Sequence, residues 1–274
     1  MGQTRKAILP GFGLSLGYTV FYLSAVVLIP LAALLLQPFG LGWDKFWKAA
    51  TSARALSAYR VSFGTALVAA TFNFFAGLIA SWVLVRYQFP GKKILDALVD
   101  FPFALPTAVA GVCFATLYSP NGWLGGWFEA HGIHIINTTT GITIALIFIG
   151  FPFVVRTLQP VLADFEKEAE EAAHSLGANR WQTFVRVIFP AIFPALITGF
   201  TLAFSRAVGE YGSVIFIAGN LPFKTEIAPL IIMAKLDQFY YAGAASVASV
   251  MLLFSFLMLL VLNALQSWAN KEPK

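Results

Sequence analysis

The sequence predicts an all-α, polytopic membrane protein with six spanning helices. Three observations predict it. The 274 residues are 58% hydrophobic and only 11% charged, with a mean hydropathy of +0.76, far from the composition of a water-soluble domain. Apolar residues gather into six runs of roughly the ~20 residues that a helix needs to cross hydrocarbon. Finally, 27 Phe with 7 Trp and 8 Tyr suit lipid-facing surfaces and interfacial belts better than an aqueous core. The net charge of +5 would suggest nucleic acid, but the Lys and Arg sit in short connections between apolar runs, where membrane topology puts them. The partner this implies is membrane lipid, not nucleic acid.

The first run, Leu14 to Leu36, follows Arg5 and Lys6. It is too long for a signal-peptide core of ~7–15 residues and lacks a small-residue cleavage site, so it is expected to stay as a helix. With an outer loop it forms region 1–60. The core, 61–268, holds the remaining runs: Val61 to Val85, Leu98 to Tyr118, Thr140 to Leu162, Ala191 to Ala218 and Gly243 to Leu265. Pro102, Pro106 and Pro152 make the third and fourth runs the least regular, which bundle packing can tolerate. A short tail, 269–274, ends the chain. Cys113 has no partner for an internal disulfide and is expected to serve packing.

One set of connections holds Arg5, Lys6, Arg86, Lys92, Lys93, Arg156, Lys167, Arg180, Arg186, Lys271 and Lys274; the other holds Lys45, Lys48, Arg54, Arg60, Lys224 and Lys235. Eleven against six places both termini in the cytoplasm by the positive-inside rule. The longest cytoplasmic connection, 163–190, then carries most of the functional information. Acidic residues from Asp164 to Glu171 alternate with Phe165, Ala169, Ala172, Ala173 and Leu176 at helical spacing, which predicts a short amphipathic helix. Gly177 is placed to stop it in a left-handed cap. Asn179 and Gln182 have the spacing of a capping box for a second helix, which meets Pro190.

The string Glu171-Ala172-Ala173-His174-Ser175-Leu176-Gly177, followed after nine residues by Val187-Ile188-Phe189-Pro190, resembles the EAA loop of ABC-importer permeases. Only Val187 and Phe189 depart from that pattern, and both keep an apolar side chain. The resemblance implies the type I (MetI-like) importer fold, with this loop docking into an ATP-binding subunit through Glu171, Ala172, Ala173, Leu176 and Gly177. Paired alanines allow close approach, an acidic residue can meet a basic rim, and glycine permits the reversal. A merely solvated acidic helix is the bland alternative, and the motif spacing argues against it.

Runs from Arg86 to Gly91, Leu95 to Gly111, Phe151 to Leu162 and Ile215 to Asn220 are similar to those of sulfate/thiosulfate permeases, with molybdate and tungstate permeases the nearest alternative. That resemblance implies two ABC ATPase subunits, a homologous second permease subunit, a periplasmic sulfate-binding protein and a bacterial inner-membrane location. The chain has no Gly-x4-Gly-Lys-Ser/Thr phosphate loop, so ATP and Mg are expected on the ATPase partner and no cofactor on this chain.

Arg206 and Glu210 lie four apart within the fifth run, where ionised groups must pair or face a cavity. They either line the translocation path, Arg206 attracting a divalent anion, or neutralise each other and lock packing. The second is favoured, because a paired Arg retains little net attraction. Ser205, Ser213, Thr107 and Asn73 are further candidate path residues, although intramembrane polar groups mostly bond to backbone or neighbouring helices. His131 and His134 have metal-site spacing, but apart from Glu129 no third or fourth ligand stands near them, so a metal is not expected. Asp96 and Asp100 are expected to pair locally with Lys92 and Lys93. A polytopic enzyme is disfavoured, since no nucleophile and base share a helical face. A passive anion channel would need no ATPase.

Overall fold

The computed structural model describes residues 12–37, 40 and 42–269. Arg5, Lys6, Lys271, Lys274 and the tail from residue 270 lie outside the described residues. The chain is helical, with no strand among the described residues. In order the helices are α1 (Phe12–Leu36), α2 (Trp43–Ala50), α3 (Ala53–Arg86), α4 (Lys92–Val99), α5 (Phe101–Ala104), α6 (Thr107–Tyr118) and α7 (Gly125–Ala130). Then come α8 (Thr139–Ala163), α9 (Lys167–Ser175), α10 (Arg180–Val208), α11 (Val214–Ile217), α12 (Ala228–Asp237) and α13 (Tyr241–Ala269).

Among the described residues, α1, α3, α8, α10 and α13 are long and apolar enough to cross a membrane. The third expected span, Leu98 to Tyr118, is not one helix. Leu105 precedes a proline, and the proline ring excludes it from helical geometry, so the backbone opens to an extended conformation (φ −89°, ψ 132°) before the 12-residue α6 begins. By contrast, Pro152 and Pro160 sit inside α8 without ending it. The fifth span also differs from expectation at both ends. It starts at Arg180, because a π turn at Phe184–Ile188 carries the loop's second helix straight through Pro190. It ends at Val208, ten residues before Ala218.

Helices α3, α8 and α10 form the core, with α13 against α10 and α12, and α6 against α11. Lipid tails are as apolar as leucine, so close packing holds such helices together rather than water exclusion. Small residues permit it. A Cβ at Gly77 of α3 would lie 2.6 Å from the Val154 side chain of α8, and one at Gly199 of α10 would lie 2.8 Å from the Val154 Cα. Val154 is thus clasped between two glycines. Leu158, Leu162, Ile192 and Leu196 continue that core toward the 163–190 loop. Cys113 is exposed on α6 and does not serve packing within the chain.

Candidate functional site

The loop after α8 folds as a helical elbow. Helix α9 closes at Gly177, whose φ of +86° suits glycine. Asn179 Oδ1 then accepts the Gln182 N–H at 2.8 Å, and Gln182 Oε1 accepts the Asn179 N–H at 2.9 Å, a reciprocal cap that starts α10. Ala173 is buried, whereas Glu171, Ala172, Leu176 and Gly177 are exposed. Leu176 is 89% exposed and Trp181, just across the elbow, 72%. Two large apolar side chains therefore stand out of a polar loop.

The contact that ties this elbow to the bundle joins two parts of the chain distant in sequence. Arg86, the last residue of α3, donates Nη2–H to Glu170 Oε1 at 2.5 Å. Its guanidinium lies 5.2 Å from the Trp82 ring centroid and 5.9 Å from that of Phe165, so aromatic faces back the ion pair. Asp96 and Asp100 find a partner on another helix, which corrects the expected pairing with Lys92 and Lys93. Arg156 of α8 donates Nε–H and Nη2–H to the two Asp100 oxygens, and Nη1–H to Asp96 Oδ1, each at 2.7 Å. Gln159 Nε2 donates to the same Asp96 oxygen at 2.9 Å. The Gln159 and Arg156 hydrogen bonds hold the Asp96 carboxyl below its ordinary pKa. Single-sequence periodicity carries no signal for either long-range pairing.

Of the six candidate path residues, the structure gathers four. Arg206 donates Nη1–H to Glu210 Oε2 at 2.5 Å, and Glu210, 2% exposed, accepts the Ser213 N–H at 2.8 Å and its hydroxyl at 3.0 Å through Oε1. This carboxylate therefore turns the chain where α10 stops. Against that turn lies the start of α6. A Cβ on Gly212 would fall 2.3 Å from Thr107 Oγ1, and one on Gly111 2.5 Å from the Ser213 carbonyl oxygen. Two interrupted helices thus meet at Thr107, Gly111, Gly212 and Ser213, with Glu210 beneath. Ser205 and Asn73 do not join this cluster through their bonds. The Ser205 hydroxyl donates to its own helix at Thr201 O (2.7 Å). Asn73, fully buried, donates Nδ2–H to Ile147 O of α8 at 3.1 Å.

At the other end of α3, Arg54 donates Nε–H and Nη2–H to the two oxygens of Glu226 at 2.7 and 2.6 Å. Glu226 is 1% exposed, and no local sequence pattern marks it. His134 Nδ1 contacts Glu129 Oε2 at 2.9 Å, and His131 Nδ1 the Trp127 carbonyl at 2.7 Å. Among the described residues no three His, Cys, Asp or Glu side chains are grouped to hold a metal.

Residues 73–271 match the family described as binding-protein-dependent transport system inner membrane component. The chain is 52% identical over 253 residues to the sulfate transport system permease protein CysT of Synechocystis sp., covering 92% of this chain and 88% of that protein. It is 47% identical over 264 residues to the CysT protein of Escherichia coli (strain K12), covering 96% and 95%. In three dimensions it is similar to a bacterial ABC transporter involved in the import of the acidic polysaccharide alginate, with a TM-score of 0.79 at 16% identity over 94% of this chain and 96% of that one. The alginate transporter in complex with a pentasaccharide-bound periplasmic protein also matches, with a TM-score of 0.74 at 16% identity, covering 94% and 92%. At that identity the likeness is one of fold.

Proposed function

The chain belongs to the family of binding-protein-dependent transport inner membrane components, and from that premise we propose that it is one permease subunit of an ATP-driven sulfate and thiosulfate importer. It is a multi-pass inner-membrane protein. The sulfate reading is supported by relatives 47–52% identical that are named sulfate transport permeases. The partners are two ABC ATPase subunits, a homologous second permease subunit and a periplasmic sulfate-binding protein. ATP and Mg bind the ATPase. A match to a transporter solved with its periplasmic protein supports the binding-protein partner. Both termini face the cytoplasm, following the excess of Lys and Arg on the 163–190 side.

One observation carries the coupling role. The elbow exposes Leu176 and Trp181 to solvent while its inner side is fixed by Ala173 and the Glu170–Arg86 pair. Apolar side chains held out at a rigid bend make an anchor for a partner groove, and exposed Glu171 offers a charge to its rim. When the ATPase pair closes, the two elbows approach, and α10 carries the motion inward without a break to the Glu210 turn. There the neutralised Arg206–Glu210 pair holds the break between α10 and α11. Binding the anion weakly at that point favours release, as transport requires.

Replacing Leu176 by Asp, or Glu171 by Lys, is expected to abolish co-purification with the ATPase and to stop sulfate uptake while membrane insertion stays normal. Normal uptake by both variants refutes the coupling role. Competition among labelled sulfate, thiosulfate and molybdate in a strain lacking its own sulfate importer decides the substrate. Preferential molybdate uptake refutes the sulfate reading.

A further inference from the structure

At the end of the bundle opposite the elbow, a small polar cavity of about 60 Å³ opens between the start of α3 and α12. Ser52, Arg54, Lys235 and Gln238 supply its polar lining. Because a water needs roughly 10–15 Å³ of such space, it admits an ion of a few heavy atoms and excludes a sugar or peptide.

The charges around it do not cancel. Glu226 engages Nε and Nη2 of Arg54 and fixes the guanidinium, but Nη1 makes no hydrogen bond among the described residues. Lys235 has no carboxylate within ion-pair distance among the described residues, and its ammonium lies 5.2 Å from the Tyr240 ring centroid. One carboxylate therefore faces two cations. Burial, and then the neighbouring Arg54 charge, push the Lys235 pKa below its ordinary value. An anion placed between the two cations relieves that repulsion, and Arg and Lys donors suit the oxygens of a tetrahedral oxyanion.

We propose that this cavity is an oxyanion-binding site, held by Lys235 and Arg54 with Ser52 and Gln238 beside them, that takes free sulfate at the mouth of the permease. It rests on the transport reading only for the identity of the ion. The same donors could take a lipid phosphate, so lipid that co-purifies with the permease is measured in the test.

The test uses the full permease assembly with its ATPase subunits, without binding protein, in phosphatidylcholine nanodiscs, and measures equilibrium binding of labelled sulfate. Saturable binding that Lys235→Gln weakens about tenfold or more, and that Lys235→Arg retains, is the expected result. Equal binding by wild type and Lys235→Gln, or no saturable binding by wild type, overturns the proposal. A phospholipid that stays bound to wild type through detergent purification and is lost in Lys235→Gln, with no saturable sulfate binding, assigns the site to a lipid phosphate and also overturns it. ATP-dependent uptake with binding protein added is scored separately. Absent uptake by wild type counts against the transport reading, whereas intact uptake with unaltered Lys235→Gln binding counts against the cavity alone.

Discussion

Helix α3 carries an arginine near each end, and the two are held differently. At one end Arg54, itself 45% exposed, grips Glu226 with a two-pronged fork, and that carboxylate is only 1% exposed. At the other, about 50 Å away at 1.5 Å per residue, Arg86 makes a single hydrogen bond to Glu170, with the partners 17% and 24% exposed. The first is an anchor, because releasing Glu226 would strand a buried charge. The second is a joint that water can partly solvate when it opens. A transporter driven from one end benefits from that asymmetry, in which the driven end can be remade while the far end stays fixed.

The largest expected effect tests the anchor. Arg54→Ala leaves Glu226 buried and unpaired; a fully buried pair would lose about 3–5 kcal/mol, and the 45% exposure of Arg54 lowers this to about 2–4 kcal/mol, so unfolding in detergent should shift clearly, and Glu226→Gln should cost less because no charge is stranded. Arg86→Ala is expected to cost about 1–2 kcal/mol, since solvent screens part of the loss. Its functional effect should exceed its stability effect: more ATP should be hydrolysed per anion taken up. The swap of Arg86→Glu with Glu170→Arg should recover part of the coupling. If the two arginine-to-alanine variants unfold alike, the distinction between anchor and joint is lost.

Within the elbow, Gly177→Ala separates backbone strain from crowding. A Cβ there meets no atom within 4 Å, so only the φ of +86° opposes it, at about 1 kcal/mol. Gly177→Asn, which tolerates left-handed geometry better, should unfold closer to wild type than Gly177→Ala does.

Local chemistry made the elbow legible in the sequence. Gly177 and the Asn179–Gln182 cap act on residues three or four positions away, and the structure forms both as the spacing predicts. The apolar runs were legible for the same reason, since hydrocarbon selects on composition alone. What stayed hidden depends on competition or distance. Pro106 breaks its run and Pro152 does not, because only Leu105 is released to extended geometry, while the α8 backbone is enclosed between α3 and α10. Glu210 ends α10 by taking the Ser213 amide, a capture that hydrophobicity does not register. Arg54–Glu226, Arg86–Glu170 and Arg156–Asp100 span 172, 84 and 56 residues, beyond any local pattern.

The smallest expected effect concerns a second contact on the driven side. Asp96 lies on α4, and its carboxyl is held below the ordinary value by the Gln159 N–H and then by Arg156. A carboxyl whose pKa falls on folding binds fewer protons when folded than when unfolded. Its contribution is therefore complete above the unfolded value of about 3.9, and it disappears as pH falls through the lower folded value. Asp96→Asn should remove this component. Relative to wild type, its acid-unfolding curve should be flatter below about pH 4 and shifted by a constant amount above it. The effect should be small because solvent screens a half-exposed carboxylate, and because Asp100 still grips Arg156 at 2.7 Å through both oxygens. An identical slope for wild type and Asp96→Asn in that window would mean that Asp100 alone holds α4 to α8. Arg86–Glu170 and Arg156–Asp100 would then be the ion pairs that tie the driven end to the bundle beside the unbroken α10.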